Sequence, residues 1–249
     1  MPSYGPLCAQ FYDADKPLAP EAEVDWYLER LPPGDEAVLE VMCGSGRLLL
    51  PLLDMDVNLH GCDSSPAMLA HCEARLEDIG YETTLFLQDA TTLNLPFRYR
   101  AAFIAAGSLQ LIVDPHAACT ALERIRAHLV DPGILLLDFF IPDEAVHPPG
   151  APVVEARTVP LYDGLKIAHR SETCVDVEGR RIDVRSRYEK RTGPMILARE
   201  DETLALTWYT EDEAKALVAD AGFRDIRIEA PAFEDNRAHH RFAVSARIA

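Results

Sequence analysis

The chain has 249 residues with 24 Lys and Arg against 41 Asp and Glu, a formal net charge of −17, and 48% hydrophobic residues. That length builds one large α/β domain, or a domain with a substantial insertion, without staples, and the acidic balance opposes a phosphate backbone, so no nucleic-acid partner is expected. No apolar run approaches a membrane span, Met1 to Tyr4 lack the basic and apolar regions of a signal peptide, and the six cysteines form neither a Cys-x-x-Cys pair nor a zinc-spaced set. A cytoplasmic protein with free, mostly buried thiols, no metal and no membrane partner is expected, as a monomer or homodimer.

Residues 1–20, rich in Pro, Ala and aromatics, read as a loop-like segment in which Tyr4, Phe11 and Tyr12 anchor the N-terminus or form a lid. A helix is expected from about Glu21 to Leu31, stopped by Pro32-Pro33-Gly34. Ala37 to Val41 is an apolar run that passes through Met42-Cys43-Gly44-Ser45-Gly46-Arg47 into Leu48-Leu49-Leu50: a strand, a glycine turn and a helix start, the helix shortened or kinked at Pro51. Two glycines one residue apart let the backbone turn sharply and let a ligand approach without meeting a Cβ, while the free N–H groups of the helix start face it.

A second strand, Val57 to Cys62, ends at Asp63, about where a nucleotide-binding α/β unit places an acid on ribose hydroxyls. Leu49, however, stands where a dinucleotide fingerprint wants its third Gly or Ala, which serves a pyrophosphate poorly. Ser64 or Ser65 caps a helix to about Ile79-Gly80, with Met68, Leu69, Cys72 and Leu76 as its apolar stripe. Strands follow at Thr84 to Gln88, Ala101 to Ala106 and Gly133 to Phe140, with an amphipathic helix from His116 to Leu129.

From Asp143 the alternation breaks. Val153 to Leu161, Lys166 to Val177, Arg180 to Thr192 and Glu202 to Tyr209 read as antiparallel strands, with turns at Asp163-Gly164 and Glu178-Gly179. A two-residue turn at Glu178-Gly179 sets Asp176 against Arg181, Glu172 against Arg185, Arg170 against Arg187 and His169 against Tyr188. Arg170 and Arg187 are read as part of a solvated charge lattice rather than an anion site. Thr210 caps a helix to Ala221 with Glu213 closing a capping box, and Arg224 to Glu229 and Phe242 to Ile248 are the last strands. The expected division is a core of residues 1–142 and 210–249, with an N-terminal lid segment, and an antiparallel insertion at 143–209.

Glu40-Val41-Met42-Cys43-Gly44-Ser45-Gly46-Arg47 resembles the first motif of class I S-adenosylmethionine-dependent methyltransferases in its Cys-Gly-x-Gly form, departing at Met42, where many members have Gly or Ala. The resemblance continues at Asp63 to Leu69, Gln88-Asp89-Ala90, Ala106 to Gln110, Leu129 to Asp138, Thr210 to Glu213 and Ala221-Gly222-Phe223. It implies a Rossmann-like α/β sheet, mostly parallel with the last strand antiparallel, and a β-rich cap over the active site like that of small-molecule methyltransferases, including sugar N-methyltransferases. It also implies S-adenosylmethionine as cofactor and S-adenosylhomocysteine as product. Glu40, Gly44 and Gly46 would surround the methionine portion, with Ser108 nearby; Ala106 would also bind the cofactor, and Arg47 would either pair with its carboxylate or stand as a surface Arg at the helix start. Asp63 and Ser64 would sit at the ribose, Asp89 and Ala90 at the adenine with Met68 covering it, and Tyr12 on the segment folded over the cofactor.

The cofactor is a sulfonium that already carries its leaving group, so positioning and water exclusion supply much of the rate and little catalytic machinery is legible. Tyr12, Gln110, His147, His169 and Tyr188 are the acceptor-side candidates, for N- or O-methylation of a small molecule. Two alternatives stay open: a non-catalytic S-adenosylmethionine-binding sensor or partner subunit, and an NAD-dependent oxidoreductase.

Overall fold

A computed structural model describes residues 4–143, 151–231 and 239–248. Two sheets organise it. Strands β1 (Val38–Val41), β2 (Leu59–Asp63), β3 (Leu85–Leu87), β4 (Tyr99–Ile104), β5 (Leu129–Pro142), β10 (Arg224–Glu229) and β11 (His239–Arg247) make a seven-stranded sheet in the order β10-β11-β5-β4-β1-β2-β3. β1 to β5 run parallel, and β11 enters antiparallel to both β5 and β10. The second sheet, β6 (Val153–Pro160), β7 (Leu165–Asp176), β8 (Arg181–Thr192) and β9 (Met195–Thr207), is wholly antiparallel. The expected Rossmann-like sheet with a reversed last strand and an antiparallel insertion is therefore present.

The seven-stranded sheet is covered on both faces, which is why its central strands read as unbroken apolar runs. In β1, Leu39 and Val41 face one core with α5 (Pro115–Ala127) and α6 (Glu211–Asp220), while Val38 faces the other with α2 (Glu21–Arg30), α3 (Leu49–Asp54) and α4 (Pro66–Ile79). In β4, Ala102 and Ile104 join the first core and Ala101 and Phe103 the second. α4 begins as its sequence directs, with Ser65 Oγ accepting from Met68 N at 3.2 Å and Pro66 in the first turn, and ends at Gly80 with φ +74°. α6 carries the full Thr210 and Glu213 capping box.

Two expectations need correction. The expected loop-like N-terminal segment contains a helix, α1, over Pro6–Asp15. Its N-cap, Gly5, offers no side chain, so the sequence shows no start signal beyond the proline. The cap comes instead from β9, where the Glu200 carboxylate accepts from Leu7 N and Cys8 N, each at 3.0 Å. β9 also starts at Met195 rather than near Glu202; its first residues, Met195, Ile196 and Leu197, are all exposed, so no alternation of burial marks them as strand. The β7–β8 register is the expected one, with Asp176 opposite Arg181, Glu172 opposite Arg185, Arg170 opposite Arg187 and His169 opposite Tyr188.

Candidate active site

At the carboxyl ends of β1, β2 and β4 lies a cleft of about 700 Å³, its open mouth included. Strand ends on this edge of an open parallel sheet are where ligands bind. The backbone makes the hollow: Met42 (φ +62°), Gly44 (+57°) and Gly46 (+83°) after β1, and Ala106 (+56°) and Gly107 (+70°) after β4, all turn left-handed. A Cβ on Gly44 would meet nothing within 4 Å, so that side is open to a ligand, whereas a Cβ on Gly46 would sit 2.8 Å from Cys72 Sγ. The first glycine makes room for a guest, and the second lets Leu50 of α3 and Cys72 of α4 pack against the turn. Met42 and Ala106 adopt the same backbone without glycine, at a strain that clusters here as it does at functional sites.

Leu49 has a structural counterpart in Gly61 of β2. A Cβ at Gly61 would lie 2.7 Å from Leu49 Cδ1. Close approach of helix and strand is thus secured by a glycine on the strand, and the helix needs none.

Three carboxylates surround the turn, each in a different state. Asp63 Oδ2 accepts from Gly44 N at 2.9 Å and Oδ1 from Ser65 N at 2.8 Å, which ties the end of β2 to the glycine turn and leaves further lone pairs toward the cleft. Burial raises its pKa, and the amides of Ser65, Gly44 and Ser64 hold the rise back. Glu23, from α2, is 1% exposed and makes a bidentate pair with Arg47 at 2.7 and 2.6 Å. Arg47 is held above its ordinary value because Glu23's bonds and charge outweigh burial, so two of its donors are already engaged. Glu40, 3% exposed, keeps Oε2 without a hydrogen-bond partner. Burial pushes its carboxyl up to about 8; Arg47 opposes the rise, and Glu23 and Asp63 add to it.

Of the residues singled out from sequence, Tyr12, Glu40, Gly44, Arg47, Asp63, Ser64, Met68, Ala106 and Ser108 line this cleft together. Gly46 stands behind them as the packing glycine. Asp89 and Ala90 lie at the end of β3 outside the lining; Asp89 Oδ1 is taken up by Thr91 N (2.8 Å) and Thr91 Oγ1 (2.6 Å), capping the short turn Ala90–Thr92. Tyr4, Cys43, Leu48 and Leu111 also line the cleft and were not singled out as site residues. Tyr4 carried a signal, an aromatic on the same N-terminal segment as Tyr12.

The acceptor-side candidates fare differently. Gln110 is fully buried; its Nε2 donates to Phe140 O and Thr207 O, and its Oε1 accepts from Phe140 N, all at 2.8 Å. Its amide is spent on joining β5 to the end of β9, which corrects its expected place at an acceptor. His169 and Tyr188 stack at 4.6 Å and 17°, with Phe11 of α1 against both, outside the cleft lining. His169 bonds Ser186 Oγ at 3.0 Å, and burial pushes its pKa down. Tyr188 O accepts from Cys8 Sγ at 3.2 Å. Tyr12 is the acceptor-side candidate that the structure puts in the cleft, and His147 lies outside the described residues. Among the described residues no group of three or more His, Cys, Asp or Glu is placed to hold a metal ion, and no helix is long and apolar enough to cross a membrane.

The chemistry of this set fits S-adenosylmethionine. An unpartnered buried acid at Glu40 suits an ammonium, an acid with spare acceptors at Asp63 suits vicinal hydroxyls, and Gly44 leaves room for a backbone approach.

Comparison with known proteins agrees. Residues 38–133 match the family model described as a methyltransferase domain. No curated protein matches the chain. Among solved structures, an S-adenosylmethionine-dependent methyltransferase from Clostridium acetobutylicum superposes with a TM-score of 0.77 at 16% identity, covering 97% of each chain. The sugar N-methyltransferase KedS8 from Streptoalloteichus gives 0.75 at 19% identity over 96% of this chain and 92% of that one. CalS10, an amino pentose methyltransferase from Micromonospora echinaspora with S-adenosylmethionine bound, gives 0.71 at 20% identity over 99% and 98%.

Proposed function

We propose that this chain, whose residues 38–133 match a methyltransferase domain, moves the methyl group of S-adenosylmethionine to a small-molecule acceptor, and that the acceptor atom is the nitrogen of an amino sugar or a similar amine. The observation that carries the reading is the cleft at the ends of β1, β2 and β4, with the unpartnered Glu40, beside an antiparallel sheet that Gln110 fastens to the core. The similarity over nearly the whole chain to methyltransferases described as acting on sugar amines supports nitrogen over oxygen.

When bound, the cofactor supplies an electrophilic methyl on a positively charged sulfur. The protein's part is to bind, orient and exclude water. Asp63 and Glu40 are the acids of the cleft; burial holds Glu40 toward its neutral form, a cationic guest would draw it to the carboxylate, and the Glu23 pair keeps Arg47 from opposing that guest. Tyr4, just before α1, and Tyr12, within it, line the cleft on the side of α1. We place the adenine near Asp89 and Ala90, treat residues 143–209 as the acceptor-side cap, and assign the protein to the cytoplasm, where its six free cysteines would stay reduced.

The test is a calorimetric titration with S-adenosylmethionine, S-adenosylhomocysteine and NAD, followed by a screen of amines, sugars and phenols for methyl transfer. Micromolar binding of the first two with turnover of an amine is the expected result. Binding of NAD alone would overturn the reading, and tight cofactor binding without turnover of any acceptor would favour a sensor or partner subunit.

A further inference from the structure

The face of the insertion sheet that meets the core is apolar at both ends and polar between them. At one end Val159, Ile167 and Tyr188 pack on Cys8 and Phe11 of α1; at the other Val175, Ile182 and Trp208 pack with Phe140 and Leu206. Between these clusters lie Ser171 and Ser186, buried and directly opposite one another, and Glu202, opposite Ser186 on the next strand. Both oxygens of the Glu202 carboxylate are shut away from solvent, and neither meets a hydrogen-bond partner of good geometry.

A buried carboxylate left this way is costly, and a glutamine or leucine would fill the same space without the charge. The groups acting on it are Glu200 of β9, Cys8 of α1 and Tyr188 of β8, none of them a cation. Arg157 and Lys190, on the same face of the sheet, are turned to other partners, Asp15 at 3.2 Å and Gln10 at 3.1 Å. Glu202 is an anion built into a wall with no counter-charge supplied to it.

Tyr4 connects this wall to the cofactor cleft. It lines the cleft and packs on the α1 end of the sheet. Its phenol is pushed up by burial first, then by the charges of Cys8, Glu202, Tyr12 and Asp63, so the acid of the cleft and the acid of the wall both act on it. Tyr4 precedes α1 and is tied down through its carbonyl, which accepts from Ser65 Oγ at 2.8 Å, a bond that does not involve the ring.

We propose that Glu202 is the acceptor-side anion, which receives the ammonium of a cationic amine and takes a proton from it when the Tyr4 ring turns aside, with Ser171 and Ser186 flanking it. The inference rests on the methyl-transfer reading above. The step balances: R–NH3+ and the carboxylate become R–NH2 and a neutral carboxyl. The freed nitrogen lone pair forms the new C–N bond as the C–S pair leaves with sulfur, and the proton on the product nitrogen and that on Glu202 pass to water. A hydroxyl acceptor brings no charge to compensate the carboxylate, which is why the site selects amines. Burial pushes the Glu202 carboxyl up to about 7, Cys8 and Tyr188 hold it back and Glu200 adds to the rise, so both of its forms are populated where such a transfer must run.

The test uses the full chain saturated with S-adenosylhomocysteine, labelled with ¹³C at its glutamate carboxyls, and methylammonium chloride as the probe, with methanol as the uncharged control. The Glu202 resonance is the one lost in E202Q. The expected result is a saturable shift of that resonance with methylammonium and none with methanol, a titration midpoint lowered by about one pH unit, no saturable response in E202Q and a weakened one in E202D. E202Q should melt no lower than the wild type. A Glu202 resonance indifferent to methylammonium, or an E202Q protein that melts lower and binds the probe as the wild type does, would overturn the proposal and leave a structural role. Failure of S-adenosylhomocysteine to bind at the outset would instead count against the cofactor reading, and methylammonium titrated into the cofactor-free protein would still decide for or against Glu202.

Discussion

The cofactor cleft and the inner face of the insertion sheet are built by different means, although Tyr4 touches both. In the cleft the shape comes from backbone: left-handed residues at Met42, Gly44 and Gly46, with the turn held by Asp63 through a main-chain amide. Its charges are mostly matched, Arg47 with Glu23 and Asp63 with N–H groups. On the insertion the shape comes from register, which puts Ser171, Ser186 and Glu202 side by side, and the charge there is unmatched. A backbone-built cradle recognises a constant guest whatever surrounds it. A register-built wall can change what it accommodates with one side chain.

If the matched pairs hold the cleft, breaking one must cost stability heavily. Arg47→Ala leaves Glu23 buried without its counter-ion, and a loss of about 3–5 kcal/mol is expected in urea unfolding; a change under about 1 kcal/mol would mean that solvent reaches Glu23. Gln110→Ala removes the clamp between the two regions and orphans three main-chain groups. It should cost about 2–4 kcal/mol and expose the Phe140 amide to hydrogen exchange; retained protection there would show that the sheets hold together without it. Asp63→Ala should weaken S-adenosylmethionine binding at least about tenfold by calorimetry, in line with the loss of charge-assisted bonds, and an unchanged affinity would remove Asp63 from the site. The smallest effect belongs to the outer face of the insertion, where Arg187 and Asp201 pair at 2.6 Å with both side chains more than half exposed. Arg187→Ala should leave the urea midpoint where it is; a clear drop would show that this face is covered in solution.

Much of the cleft was legible because its parts are local. The glycine turn, the acid after β2 and the Ser65 cap each lie within a few residues of what they act on, and hydrogen-bond chemistry over that range follows from residue type alone. The pairing of Arg47 with Glu23 was not legible, because Glu23 lies 24 residues earlier, on α2. Gln110 was read as an acceptor-side group because a strand end next to a glycine turn is a ligand position; nothing near it in sequence announces that Phe140 and Thr207 absorb its amide.

The same distinction holds for the fold. Periodicity determined the central apolar strands, because a strand buried on both sides must be apolar, the family resemblance implied the Rossmann-like sheet they form, and the turn at Glu178-Gly179 determined the β7–β8 register, because side chains alternate with a period of two. Tertiary structure alone decided that Pro6–Asp15 is a helix, since its cap, Glu200, comes from 192 and 193 residues away. It alone decided that Tyr4 lines the cleft while packing on the insertion sheet, and that Glu202 is buried with no cation acting on it. Local rules report the conformation a segment prefers; the charge and packing that a side chain meets are set by whatever distant segment folds against it.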